Sequence, residues 1–424
     1  MVEVGRTDVE YRLVIVDLNF NNQRYKVEPL FSRLSERRIP YIVLTNFIDK
    51  LSEIMCKIEI NNLLVGKFKK DTDGCCQFLD TVVLFFKSVP VRILHISDLH
   101  FDSTLTEAAN IEERNILFDS LVDTIKKENE RQNFDSVVIC GDISMHAPDS
   151  DLVEVRSLIK RINKESVNSY KRLSIIPGNH DIQWTNFDKK KLSTRPLQAY
   201  LEFYHAIYGH KLNILNELSA WDRTQDLFNP SSVCDELSWF RPLPSSGLSM
   251  IGLATPSLTS KKQGNGCFSR EHEKFIKSHW ADKTNLEVRI VLMHHNLYAS
   301  LSYNRNSETR VLENSGDAMY TLMSTGCTCV LSGHTHSVNY IRCVASRMGF
   351  DGFANPSGFD VVTGGTAGGT HKSADRPRSF NIINFSHCKR DTMKRTMSIS
   401  PFLYDSDEHE WTERNQLAVD GCNC

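Results

Sequence analysis

LSIIPGNHDI, residues 173–182, decides how the rest of the chain is read. Four residues suited to a buried strand run into Pro177-Gly178, and Asn179, His180 and Asp181 follow at once. Pro-Gly is a strong turn signal. A carboxamide, an imidazole and a carboxylate in succession are also groups that hold metals and move protons. The stretch is therefore either a polar turn or the mouth of a site, and residues elsewhere choose between the two.

From Val91 onward the same design recurs. VRILHISD, SVVICGD, LSMIGLAT, VRIVLMHH and CTCVLSGH are short, largely apolar runs. Between them lie amphipathic helices. Leu117, Leu121 and Ile125 recur at helical spacing, as do Leu152, Val155, Ile159 and Ile162. Strands alternating with helices predict an α/β fold. In open α/β sheets, ligands bind outside the carboxyl ends of the strands. Five strands end in ligand-type residues: Asp98-Leu99-His100, Gly141-Asp142, Gly178-Asn179-His180-Asp181, His294-His295-Asn296 and Gly333-His334-Thr335-His336. One such end alone reads as an Asx-type turn or a solvated histidine pair. Five in order are expected to converge on one rim.

The donor set holds carboxylates, imidazoles and one amide oxygen, with no thiolate. That combination suits manganese, iron or zinc. The donors exceed what one ion needs, and a carboxylate can bridge two ions in a site that activates water.

These blocks resemble the calcineurin-like metallophosphoesterase superfamily. They read SDLHFD (97–102), CGDIS (140–144), PGNHDI (177–182), LMHHN (292–296) and LSGHTHS (331–337). The resemblance spans about residues 91–385 and is greatest to the cyclic-nucleotide phosphodiesterase-like branch. It implies a four-layer α/β/β/α sandwich with a dinuclear centre. Asp98, His100 and His336 would then hold one ion and Asn179, His294 and His334 the other, with Asp142 between them. His180 would be no ligand but the acid that protonates the leaving oxygen after activated water attacks phosphorus in line. His294 is preferred to its neighbour His295 as ligand because it directly follows the strand. Asp181 either orients His180 or supports the turn. His146 reaches substrate or is a solvated loop residue. One departure is Asn296, where the branch usually has proline.

The function implied is hydrolysis of phosphodiesters, cyclic nucleotides among them, or of phosphomonoesters. GNHD in place of GNHE, with no further arginine block, lowers the expectation of a phosphoprotein substrate. A nuclease of the same superfamily shares the ligand set but wants a basic groove. With 50 Lys and Arg against 52 Asp and Glu, the formal charge is -2, and only KRDTMKR (389–395) is strongly basic. A non-catalytic sensor or scaffold would be expected to have lost ligands, and none is missing.

The 424 residues divide into three parts. Residues 1–88 alternate strand and helix and predict a small parallel α/β domain. It is faintly similar to the haloacid dehalogenase-like phosphatases, with Asp17-Leu18-Asn19 and Thr45 at strand ends. Asn19 replaces the acid/base carboxylate, so regulation or partner contact is the expectation there. Residues 89–386 form the phosphoesterase domain, with a helical insertion near 182–247. Residues 387–424 are a tail in which MSISPFLYD predicts an edge strand. The start is charged and lacks an apolar leader core, and no run reaches membrane-spanning length. The twelve cysteines show no CxxC pair, and several lie within apolar strands. Reduced thiols in a cytoplasmic protein are the expectation.

Overall fold

The computed structural model describes residues 14–18, 41–45, 64–69, 91–145, 149–182, 195–209, 237–243, 248–256, 266–280, 288–298, 311–348, 354–368, 377–387 and 395–419. Near the start, β1 (Val14–Leu18), β2 (Tyr41–Thr45) and β3 (Leu64–Lys69) pair in parallel as a sheet of their own. That matches the parallel reading of residues 1–88. The helices expected between these strands lie outside the described residues.

The main body is built on two sheets. In the first, β4 (Val91–Ile96), β5 (Ser136–Cys140) and β6 (Leu173–Ile176) run parallel side by side. They are linked through α1 (Ala108–Arg131) and α2 (Asp149–Glu165), and followed by the short α3 (Asn179–Ile182) and by α4 (Arg195–Tyr208). The second sheet contains β7 (Trp239–Leu243), β8 (Leu248–Gly252), β9 (Val288–Leu292) and β10 (Cys329–Ser332), with α5 (Arg270–His279) and α6 (Ser315–Ser324) between them. The chain continues through β11 (Asn339–Met348) and β12 (Ala354–Thr363) in that sheet. It then crosses back as β13 (Ser379–His387), β14 (Arg395–Asp405), β15 (Glu410–Glu413) and β16 (Leu417–Val419). The strand orders are β11-β12-β10-β9-β8-β7 and β15-β14-β13-β4-β5-β6, with β16 also on β14.

Both faces of the central strands are buried, which is why they read as continuous apolar runs rather than alternating ones. On β5, Val137 and Ile139 join a core with Leu117, Leu121 and Ile125 of α1 and Val155 and Ile159 of α2. Val138 and Cys140 face the other way, into a core shared with Met250, Ile290, Leu292 and Leu331 of the second sheet. A third core sets Ile276, Trp280, Ala318 and Leu322, from α5, its end and α6, against Val291, Val330 and Val361. The three cores are the interfaces of four layers, α/β/β/α. Each fully buried Ile, Leu or Val in them contributes roughly 1.5–3 kcal/mol.

Two boundaries differ from the sequence reading. The range 182–247 is not wholly an insertion: α4 packs its aromatic face inward through buried Tyr200 and Phe203, and β7 is a strand of the second sheet. The remaining residues of that range are largely outside those described. MSISPFLYD is not an edge strand, because β14 has β13 on one side and both β15 and β16 on the other. β16 covers Met397–Ile399 and β15 covers Phe402–Asp405, so Pro401, which has no N–H to donate, falls in the gap between them.

Among the described residues Cys140, Cys327, Cys329 and Cys343 are free and buried, in keeping with their reading as small apolar groups. No helix among the described residues is long and apolar enough to cross a membrane.

Candidate metal centre

β4, β5 and β6 are parallel neighbours, and so are β9 and β10 in the facing sheet. Their carboxyl ends therefore open on the same rim of the sandwich, and the five ligand-type blocks meet there. Asp98, His100, Asp142 and His336 bring their donor atoms within 4.8 Å of one another. His100 Nε2 lies 2.9 Å from His336 Nε2, and His336 Nε2 lies 3.3 Å from Asp98 Oδ1. A second group forms around His294 Nε2. It is 3.2 Å from Asp142 Oδ2, 3.1 Å from Asn179 Oδ1 and 3.2 Å from His334 Nδ1. Asp142 Oδ2 also stands 3.8 Å from His100 Nε2, so one carboxylate oxygen faces both groups.

The backbone needed to aim these side chains is unusual. Asp98, His100, Asp142, His334 and His336 all have positive φ, between 43° and 72°. Gly141, at φ 80°, lets β5 turn without a side chain against His294. Gly178 answers a different need, since a Cβ there would meet the Asp142 carboxylate.

The donor chemistry fits metal ions. The facing atoms are lone-pair donors, largely buried, and 2.9–3.8 Å apart. Ion–ligand bonds of about 2.0–2.2 Å, meeting at octahedral to tetrahedral angles, place neighbouring donors about 2.8–3.6 Å apart. Electrostatics point the same way. Burial opposes ionisation of Asp142, but His294, His180 and His100 outweigh it and hold the carboxyl well below its ordinary range. Burial likewise opposes ionisation of Asp98 and is outweighed by His336. Burial keeps His100 neutral, lowering it to about 3. His294 is pushed up to about 9: burial opposes its charging, and the Asp142 carboxylate outweighs that. Two buried carboxylates thus demand positive charge, which a cation in this cradle would supply without the proton on His294.

Further contacts orient the donors. His294 Nδ1 donates to the carbonyl of Cys140 at 2.8 Å, which turns the Nε2 lone pair into the cluster. Asp98 Oδ1 and Oδ2 accept from the backbone N–H of His334 at 3.2 and 3.0 Å. Asp142 Oδ1 accepts from the N–H of His180 at 2.8 Å. The ring of His180 is half-buried beside His100, 4.9 Å between centroids, and its Nδ1 donates to the carbonyl of Met145 at 2.8 Å.

Asp181 is fully buried and acts on the main chain. Its Oδ1 accepts from the N–H groups of Ile143 and Ser144, both at 3.0 Å, and its Oδ2 from that of Gly178 at 2.8 Å. It therefore ties the loop after β5 to the turn after β6. Burial, with the Asp142 charge nearby, pushes its carboxyl up to about 7. His295 groups with His294 and His334, its Nδ1 2.9 Å from Thr255 Oγ1. His146 lies outside the described residues.

Sequence reading missed what backs the first block. In the sequence, VVTGGTAGGT (361–370) reads as a glycine-rich strand end that shapes the substrate side or makes a tight turn. In the structure, Thr366 Oγ1 donates to the carbonyl of Asp98 at 2.7 Å, and the N–H of Ala367 donates to that of Ser97 at 3.0 Å. A Cβ on Gly368 would run into the carbonyl of Leu99. The glycines were visible in the sequence; their target, more than 260 residues away in the chain, was not.

A family model described as calcineurin-like phosphoesterase matches residues 91–338. Among solved structures, the chain is similar to a purple acid phosphatase from yellow lupin (Lupinus luteus) seeds, at 13% identity and a TM-score of 0.43, covering 79% of this chain and 55% of that one. It is similar to the NAD nucleotidase of Haemophilus influenzae at 11% identity and a TM-score of 0.37, covering 77% and 54%. It is similar to the phosphopantetheinyl hydrolase of Mycobacterium tuberculosis at 12% identity and a TM-score of 0.31, covering 66% and 91%. The chain spans about half the length of the first two. No curated protein matches it.

Proposed function

The chain belongs to the calcineurin-like phosphoesterase family, and from that premise we propose that it is a dinuclear-metal-dependent hydrolase of phosphate esters, acting on small, nucleotide-like phosphodiesters. The observation that carries this reading is the placement of Asp142, one carboxylate oxygen facing two separate donor groups. Asp98, His100, His336 and Asp142 would hold one ion of the manganese, iron or zinc class. Asp142, Asn179, His294 and His334 would hold the other. Ions bound there supply Lewis-acid withdrawal of charge from a phosphoryl group and lower the pKa of water.

The chain's own residues do the rest. Asn179 and His180 are consecutive, so one turn presents a ligand and a proton donor to the same phosphate. Met145 fixes the His180 ring through Nδ1, which leaves Nε2 to give its proton to the departing oxygen. Asp181 holds the two loops that carry Asp142 and His180. Residues 1–88 would serve regulation or partner contact, and the free buried thiols suit a cytoplasmic setting.

The test is direct. Purified protein should bind two such ions per chain and hydrolyse bis(p-nitrophenyl) phosphate. Asp142→Asn should abolish turnover with the fold retained. Lack of metal-dependent turnover on both the diester and p-nitrophenyl phosphate would sink the enzyme reading. A side-by-side panel of cyclic nucleotides, single-stranded DNA and a phosphopeptide then assigns the substrate class, and DNA as the best substrate would favour a nuclease.

A further inference from the structure

Asn296 stands where the resembling branch carries proline, and it is 4% exposed. Its carboxamide joins three strand ends. Oδ1 accepts from Ser332 Oγ, at the end of β10, at 2.6 Å, and from Thr363 Oγ1, at the end of β12, at 3.4 Å. Its backbone carbonyl accepts from the N–H of Leu312 at 2.9 Å. With the oxygen so fixed, Nδ2 is aimed at Thr335 Oγ1, 3.2 Å away.

Thr335 lies between His334 and His336, which both have left-handed backbone, at φ 72° and 54°. Such residues persist only where their surroundings over-determine them. His334 Nδ1 belongs to the group around His294, whereas His336 Nε2 belongs to the group around His100. Thr335 is therefore the one residue of chain that joins a member of one donor group to a member of the other. The backbone of this turn has its own anchors, Thr335 N–H on the Gly333 carbonyl at 2.9 Å and His334 N–H on Asp98. The side chain of Thr335 is held by Asn296. A proline at 296 would offer neither the amide donor nor the acceptor.

We propose that Asn296 is a positioning residue which, through Thr335, keeps the two donor groups in register. The proposal rests on the dinuclear reading above. Changes to residues that orient metal ligands typically cost 10–100-fold in metal affinity or activity.

The test is calorimetric titration of metal-free protein with Mn(II), read beside the melting temperature of the metal-free form and the electron paramagnetic resonance of the loaded form. Wild-type protein that takes up fewer than two ions overturns the dinuclear reading, and this proposal with it, before any variant is made. With two ions bound, Thr335→Val and Asn296→Ala should each weaken Mn(II) about tenfold or more and alter the coupling between the two ions. The double variant should be no weaker than Asn296→Ala, and Thr335→Ser should stay within about twofold of wild type. A Thr335→Val protein that folds and binds Mn(II) within about twofold of wild type overturns the proposal. So does a double variant whose losses simply add. Thr335 is only half-buried, so Thr335→Val is a readable variant even where Asn296→Ala fails to fold.

Discussion

Asp181→Ala tests how the loops of the site are held. Three main-chain N–H groups, of Ile143, Ser144 and Gly178, end on this carboxylate at 3.0, 3.0 and 2.8 Å. Asp181 and Ser144 have no measurable exposure, so water cannot readily replace the lost acceptor. A buried donor left without a partner costs about 1–3 kcal/mol. Three of them, with partial relaxation, set the expected loss at roughly 3–6 kcal/mol, a large share of the about 5–15 kcal/mol by which folded domains outweigh the unfolded chain. Asp181→Asn separates the contributions. The amide oxygen can still serve Ile143 and Ser144, but the NH2 then faces the Gly178 N–H, donor against donor. That variant should lose about 1–3 kcal/mol, one donor's worth. Urea unfolding of the metal-free proteins reads the series. An alanine variant within about 0.5 kcal/mol of the parent, inside the range of ordinary surface changes, would refute the bridging role. So would an asparagine variant as costly as alanine.

Other residues give separate checks. His180→Ala should slow diester hydrolysis by about 10²–10⁴-fold, the usual worth of a positioned acid, while elemental analysis finds the ion content unchanged; loss of the ions would make His180 a ligand. Gly178→Ala forces a Cβ onto the Asp142 carboxylate, and thermal melting should show about 1–3 kcal/mol of overpacking together with weaker ion binding. Burial lowers His272 to about 4 from an ordinary 6.5. Its contribution to stability is therefore complete above pH 6.5 and is lost as pH falls toward 4, amounting to up to ~3 kcal/mol. Urea melts of metal-free protein across that window should flatten in His272→Gln, which keeps an N3 partner for the Ser269 capping box; an unchanged slope would rule out His272 as the cause.

The α/β alternation and the convergence of the five blocks were legible because both depend on local signals, whereas the four-layer sandwich was implied by the family resemblance. An apolar strand run, a turn former and a donor residue lie within a few positions of one another, and the parallel α/β rule places such ends on one rim. What stayed illegible depends on distant partners. Nothing local in RTMSISPFLYD tells β14 that β15 and β16 will cover its outer side, because antiparallel pairing is set by where later strands return. Asp181 was ambiguous for the same reason: its partners Ile143 and Ser144 lie 38 and 37 residues upstream. Thr366 carried no visible sign of a role, and Asn296 stood out only as a departure from proline, since a hydroxyl and a carboxamide look like ordinary loop residues until Asp98 and Thr335 are seen beside them.

The tethering residues share a physical purpose. Five of the residues that face one another across the rim have left-handed backbone. At about 1–3 kcal/mol each, that conformation costs about as much in total as a domain's whole net stability. The strain persists only if each loop is pinned by bonds that relaxation would break. The structure supplies such bonds loop by loop. Thr366 and Ala367 pin Asp98 and Ser97, Asp181 pins Ile143 and Ser144 beside Asp142, and Asn296 pins Thr335 between His334 and His336. All of these act on backbone, or on a side chain whose backbone neighbours are strained. PGNHDI sets a pinning residue beside two that lie at the rim: Asn179 meets His294 and His180 meets His100, whereas Asp181, the third polar residue, turns inward and holds the turn that carries them.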